Sequence, residues 1–390
     1  MKEGGEKLKK ILFVIPSLAV GGLEKVQVTL ANKLSELGYE VTILLLEPVF
    51  DLQCQLNSKV QVRYKGYKKH IGEKIPYIRH KFYDDGMWET RMSAEKLHRY
   101  YIGSEHYDVE IGFFRGLPIK IVSGGEKREE TKYLGWVHSD FRRTDSYKSN
   151  FRSKEAVYEA YKKLDKVICV SREAQIGFKN VIGDIGNLCT IYNMLSVNEI
   201  IQKSKQSPEI KVNKSKYHVV LVGRMVDKVK GQKRLVEVVV KLHEMGYKIS
   251  LALIGGGVDE EKLKDEIIKK NATSYISVCG SQINPYPYIK EADLLVCASH
   301  YEGYNLTVAE ALILDTPVLS TDCTGPNEIL DYGKYGMIVE NSTEGLYEGL
   351  KRFAENPELL LEYKKKTIER KKFFDEEKIL DEITNLFEGK

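Results

Sequence analysis

A chain of 390 residues, 42% of them hydrophobic, with 60 Lys+Arg against 56 Asp+Glu, is sized for two domains and apolar enough to give each a core, which excludes a disordered chain. Its net charge of +4 is too small for a protein that coats nucleic acid, although residues 59–172 hold 25 Lys+Arg against 16 Asp+Glu. The six cysteines include no pair at CxxC spacing, so reduced thiols in a cytoplasmic protein are expected, not a zinc site or a disulfide framework.

In chain order, ILFVIP (11–16) reads as a buried strand. With the basic residues before it, it imitates a signal peptide. Glu3 and Glu6 dilute that region, and the apolar run continues into an amphipathic segment, so it is read as part of the fold. No apolar run approaches the ~20 residues of a membrane span. AVGGLEK (19–25) follows, and its Gly21–Gly22 pair suits either close approach of an anion to free N–H groups or an ordinary tight turn. Residues 23–37 read as a helix with Val26, Leu30, Ala31 and Leu34 on one face. VTILLLE (41–47), VEIGFF (109–114), YLGWVH (133–138) and KVICVS (166–171) read as further buried strands. His138, with Asp140 beside it, falls at a strand's carboxyl end, where it is either a ligand or a satisfied core histidine. Between these strands, residues 63–91 interleave Tyr, Phe and Trp with Lys, Arg and His. That composition suits an anionic membrane surface or a solvated basic face.

The polar stretch 196–218 is the expected linker. Beyond it the pattern repeats with HVVLVGR (218–224), a helix over 234–245, ISLALIGGG (249–257), YISVCG (275–280), ADLLVCAS (292–299), TPVLSTD (316–322) and GMIVE (336–340), then a charged helix over 357–390. Near-continuous apolar strands alternating with helices predict parallel sheets covered on both faces. The expected fold class is α/β, two Rossmann-like doubly wound domains facing across a cleft. The expected domains are 1–195, with a C-terminal helix 372–390 packing back on it, and 196–371. Ligands of such folds lie at the carboxyl ends of strands. Arg224 and Lys230 sit in one such loop and suit a diphosphate, or else are two solvated cations. Glu302 sits in another, and Glu310 is expected near the first turn of a helix starting at Thr307. Carboxylates of this kind accept sugar hydroxyls, although Glu310 could simply favour the helix dipole.

The sequence GR…KG, then LIGGG, CG, S-x-x-E-G with a second Glu seven residues on, and TPVLSTD resembles the retaining GT-B glycosyltransferases of family 4 over essentially the whole chain. The resemblance implies a hexosyltransferase of bacterial surface-polysaccharide type. Its donor would be a nucleotide diphosphate sugar, UDP-linked by prior, and its acceptor lipid-linked or a glycan. Glu310 would take the ribose hydroxyls, and Arg224 and Lys230 the diphosphate. Glu302 would face the sugar, and the amides of Gly303, Tyr304, Asn305 and Leu306 would cradle phosphate and sugar. Gly280, Ser281, Gln282 and Ile283 would lie along the base, Gly21 and Gly22 over the diphosphate, and His138 at the transferred sugar. With no D-x-D sequence in the chain, metal-independent transfer without a cofactor is expected. A peripheral position on the inner face of the plasma membrane through residues 63–91 is expected too. Tyr304 and Asn305 replace more usual residues of the pattern. A soluble transferase with a small acceptor, a non-catalytic nucleotide-sugar-binding partner and a nicotinamide enzyme are the competing readings. The last lacks the glycine fingerprint.

Overall fold

The computed structural model describes residues 9–66 and 87–388. The chain divides into two compact units, Met1–Met194 with Glu377–Lys390, and Leu195–Glu376.

The first unit is built on seven strands, β1 (Lys10–Ile15), β2 (Glu40–Leu45), β3 (Gln61–Tyr64), β4 (Val109–Gly112), β5 (Lys132–Val137), β6 (Lys166–Cys169) and β7 (Leu188–Thr190). They form one sheet in the order β3-β2-β1-β4-β5-β6-β7, parallel at every pairing. Ile11 to Ile15 are essentially inaccessible, as a strand with helices on both faces must be. β3 has one half-buried residue between exposed ones. A polar edge strand of that kind carries no apolar signature, and the sequence pattern misses it. The helix Gly22–Glu36 buries Val26, Leu30, Ala31 and Leu34, the face that the 3.6-residue period selects.

Most of the basic–aromatic stretch, residues 67–86, lies outside the described residues. After it, Trp88 on the helix Met87–Arg91 packs its ring against Tyr100 and Tyr101, at centroid distances of 6.0 and 6.5 Å.

The second unit repeats the design with β8 (Tyr217–Val222), β9 (Ile249–Ile254), β10 (Ile276–Val278), β11 (Leu294–Cys297), β12 (Val318–Thr321) and β13 (Met337–Val339). Their order is β10-β9-β8-β11-β12-β13. The helix Gln232–Glu244 lays Leu235, Val236, Val238 and Val239 into a core shared with β8, β9 and β11.

Two expectations are corrected here. Residues 196–218 do not form a plain linker. Val197–Lys203 is a helix with Ile200 buried, packed against the helices Tyr286–Glu291 and Leu306–Ile313, and the Lys203 carbonyl accepts a hydrogen bond from Asn284 Nδ2 at 2.9 Å. One buried apolar residue in seven is too little periodicity to read. Nor is the segment from 357 one continuous helix. It breaks into Pro357–Arg370, a 3₁₀ turn at Lys371–Phe373 and Glu376–Glu388. Arg370 donates to the Glu328 and Ile329 carbonyls within the second unit. The last helix buries Ile379, Ile383 and Phe387, and Lys9 Nζ of the first unit donates to the Phe387 carbonyl and pairs with Glu388 at 2.8 Å.

Candidate active site

In the second unit, β8 lies between β9 and β11. The connections leaving β8 and β11 therefore run to opposite faces of the sheet, and the crevice at such a reversal is where open α/β sheets hold ligands. The loop after β8 carries Arg224 and Lys230, and the loop after β11 carries Glu302. The structure joins them: Lys230 Nζ donates to Glu302 Oε1 at 2.6 Å.

Local conformation explains how Lys230 arrives there. Residues Asp227–Lys230 form one helical turn that Gly231 ends in the left-handed region, at φ 65°. A side chain at 231 would be strained on that account, and its Cβ would stand 2.1 Å from the Ala298 carbonyl oxygen. Gly231 thus lets the β8 and β11 loops touch, and His300 N donates to the Val229 carbonyl at 2.8 Å. Burial by itself pulls the Lys230 ammonium down, but the charge of Glu302 and its hydrogen bond outweigh it, and the group is raised above its ordinary value. Arg224 is exposed on the same loop, and its charge opposes that rise.

Three donors converge on Glu302 Oε1: Lys230 Nζ, Ser299 Oγ at 2.6 Å and Asn305 Nδ2 at 3.1 Å. Asn305 itself adopts φ 71° and caps the helix Leu306–Ile313, its Oδ1 accepting from Val308 N. That helix begins one residue earlier than expected. Glu310 is therefore its fifth residue, beyond the first turn, and buried at 3% exposure. A helix-dipole role fades past the first turn, so the bland reading of Glu310 loses its ground. Tyr286 OH lies 3.4 Å from Glu310 Oε1.

The remaining expected residues are placed as follows. Tyr304 is buried, and its backbone lies 2.5 Å from where a Cβ on Gly325 would stand, so only glycine lets the helix Thr324–Ile329 approach this loop. Gly280 follows β10 at φ 63°. Ser281 and Ile283 are exposed, whereas Gln282 is buried and turned inward, donating to the Cys279 carbonyl and accepting from Tyr288 OH. Gly21, Gly22 and His138 belong to the first unit. Gly21 is extended and precedes the helix Gly22–Glu36. The His138 ring packs 4.7 Å from Phe113, its buried Nε2 has no hydrogen-bond partner among the described residues, and burial followed by the Arg115 charge pushes its pKa down to about 3. Asp140 is not an open polar group: Arg142 binds both its oxygens, at 2.8 to 3.0 Å. The sequence pattern includes Ser299 only as the first residue of S-x-x-E-G, with no role given to it, and gives none to Tyr286. Neither has a signal in periodicity; only their positions, just after β11 and at the start of the helix Tyr286–Glu291, could have pointed to them.

The site therefore joins the Lys230 ammonium to the Glu302 carboxylate, with Arg224 exposed on the same loop as Lys230; cations of this kind suit a doubly charged anion. The whole fold matches solved GT-B glycosyltransferases. Among them, HepE of Anabaena in complex with UDP superposes with a TM-score of 0.73 at 16% identity, covering 98% of this chain and 100% of that one. Residues 202–370, the body of the second unit, match the family described as Glycosyl transferases group 1. The chain is 28% identical over 296 residues to an uncharacterised glycosyltransferase of Methanocaldococcus jannaschii, 66% of this chain and 72% of the relative. It is 29% identical over 191 residues to an N-acetylgalactosamine-N,N'-diacetylbacillosaminyl-diphospho-undecaprenol 4-alpha-N-acetylgalactosaminyltransferase of Campylobacter jejuni, 48% of this chain and half of the relative.

Proposed function

We propose that the protein transfers a hexose or N-acetylhexosamine, with retention, from a UDP-sugar to a lipid-linked or glycan acceptor in cell-surface polysaccharide synthesis. The observation that carries this is the Lys230–Glu302 contact of 2.6 Å at the reversal of the second sheet. It sets a cation for the diphosphate beside a carboxylate for the sugar. The UDP held by HepE and the diphospho-undecaprenol acceptor in the name of the Campylobacter relative support the donor and acceptor classes.

In this reading the bond between the sugar's anomeric carbon and the diphosphate breaks while the acceptor oxygen attacks from the same face, and its proton passes to a diphosphate oxygen. Lys230 and Arg224 stabilise the charge that develops on the departing diphosphate, so the chain's own cations meet it without a metal or cofactor. Glu302 has three donors on Oε1, which leaves Oε2 to accept from a sugar hydroxyl. Glu310 takes the ribose. Backbone amides of Gly303 to Leu306 meet phosphate and sugar, and Gly280 to Ile283 lie along the base. Gly21, Gly22 and His138 are assigned to diphosphate and sugar on the family resemblance. Residues 63–91 are assigned to the cytoplasmic leaflet, and flotation with anionic liposomes tests that assignment alone.

Thermal-shift screening with UDP, GDP and ADP, then UDP-sugars, tests the donor. A ligand at 100 times its dissociation constant adds about 2.7 kcal/mol. Absence of any shift would overturn the reading.

A further inference from the structure

Arg234 lies on the helix Gln232–Glu244, buried at 8% exposure. Among the described residues no carboxylate stands within ion-pair distance of it. Its guanidinium instead donates to one carbonyl through two nitrogens, Nε at 3.0 Å and Nη2 at 2.6 Å from Ala298 O. Nη2 also donates to Asn341 Oδ1 at 2.8 Å. Asn341, just past β13, turns its Nδ2 to the His300 carbonyl at 3.0 Å and the Asp322 carbonyl at 3.1 Å. The residue between, Ser299, has its carbonyl held by Thr321 Oγ1 at 2.7 Å and by the Cys323 thiol at 2.9 Å.

The carbonyls of three successive residues, Ala298, Ser299 and His300, are therefore fixed from separate elements. A buried cation matched only by neutral acceptors is a costly way to fill a core, since an apolar side chain of that volume is often at least as stable. What the arrangement does achieve is directional. Ser299 Oγ reaches Glu302 only when the backbone at 298–300 is fixed, and Glu302 in turn holds Lys230.

We propose that Arg234 and Asn341 form a clasp that positions the Glu302 loop for nucleotide-sugar binding; they are positioning residues, touching no substrate. The proposal rests on the reading of the site given above. Arg234 sets the depth of the loop against the helix Gln232–Glu244, and Asn341 ties it to the end of β13. Because the two share one hydrogen bond, their effects on ligand binding are coupled.

The test compares Arg234→Met, Arg234→Lys, Asn341→Ala and the double variant Arg234→Met/Asn341→Ala with Val238→Ala, a core change on the same helix that loosens packing without approaching the loop. UDP affinity is measured by calorimetry, and amide exchange is followed at 299–303. Arg234→Met is expected to weaken UDP binding at least tenfold and to speed exchange at 299–303. Arg234→Lys falls between it and the unaltered protein, and the double variant loses less than the product of its single effects. Val238→Ala lowers the melting midpoint but leaves UDP affinity unchanged. UDP affinity of Arg234→Met equal to that of the unaltered protein, or exchange at 299–303 no faster than in Val238→Ala, overturns the clasp. Failure of the unaltered protein to bind UDP, GDP or ADP overturns the reading of the site, and the exchange comparison then decides the clasp by itself.

Discussion

Lys230 and Glu302 are 72 positions apart and come from different strand-end loops, yet their charged atoms meet at 2.6 Å. The pair is held in a half-buried place, with side-chain exposures of 21% and 11%, so its charges are screened far less than those of a surface ion pair. On the proposed function, a diphosphate shares the lysine with a carboxylate already in position.

Removing the lysine alone takes one of three donors from Glu302 Oε1 and, on the proposed function, one of two cations from the diphosphate. Lys230→Ala is expected to lower kcat by at least a hundredfold with the UDP-sugar that the thermal-shift screen selects. The structural cost is no more than about 3 kcal/mol, the lower end for breaking a buried pair. Steady-state kinetics beside a urea titration separates the two. Near-normal turnover of purified Lys230→Ala protein sinks the site.

Glu310→Gln keeps volume and removes charge. Hydrogen bonds to a charged group contribute about 1.5–3 kcal/mol, so UDP affinity should fall roughly ten- to hundredfold, while 2'-deoxy-UDP, with one hydroxyl fewer, loses less. Calorimetry with the two nucleotides checks this. Equal losses for both would place Glu310 away from the ribose.

Gly231→Ala reverses an ordinary trend. Exchanging glycine for alanine commonly stabilises a chain by restricting its unfolded state. At φ 65°, with the Ala298 oxygen 2.1 Å and Arg234 Nε 2.6 Å from the new Cβ, the sign is opposite. A loss of more than about 1 kcal/mol is expected in urea titration, with weakened UDP binding.

Two histidines make stability depend on acidity. Burial, followed by the Arg115 charge, lowers His138 to about 3, and burial, followed by Lys214, lowers His218 to about 4. Both are neutral in the folded chain while the unfolded chain binds protons from near pH 6.5 downward. Their contribution is fully present above pH 6.5 and is lost as pH falls toward those values, with a slope of up to about 1.4 kcal/mol per pH unit for each. Urea titrations between pH 6.5 and 5 should show it, and His138→Gln should reduce the slope by about half. An unchanged slope would mean that His138 is solvated in solution.

Much of this was legible because the signals were local. β1 announces itself since every residue from Ile11 to Ile15 is apolar and every one is buried. Arg224, Lys230 and Glu302 could be picked out because they interrupt polar loops directly after such runs. Asn305 could not: its role depends on a left-handed backbone and on a side chain that caps a helix and reaches Glu302 at once. The helix start at Leu306 follows from that cap, which is why Glu310 stands one residue further along its helix than the sequence pattern places it. Arg234 read only as the start of the helix expected over 234–245, because periodicity assigns a face but not the partner that waits there. Asp140 read only as a polar neighbour of His138, because nothing in the sequence shows Arg142, two residues on, folding back on it.

The route of the backbone carries a last consequence. Because Glu377–Lys390 rejoin the unit that begins at the amino end, residues 195–376 are threaded into its sequence as an insertion. The seam that receives Ile379, Ile383 and Phe387 stays open until the helix Glu376–Glu388 has left the ribosome. The inserted stretch is whole well before then. A shortened chain ending at 376 should therefore retain nucleotide binding in its inserted half while its amino-terminal half exposes an oily groove and aggregates.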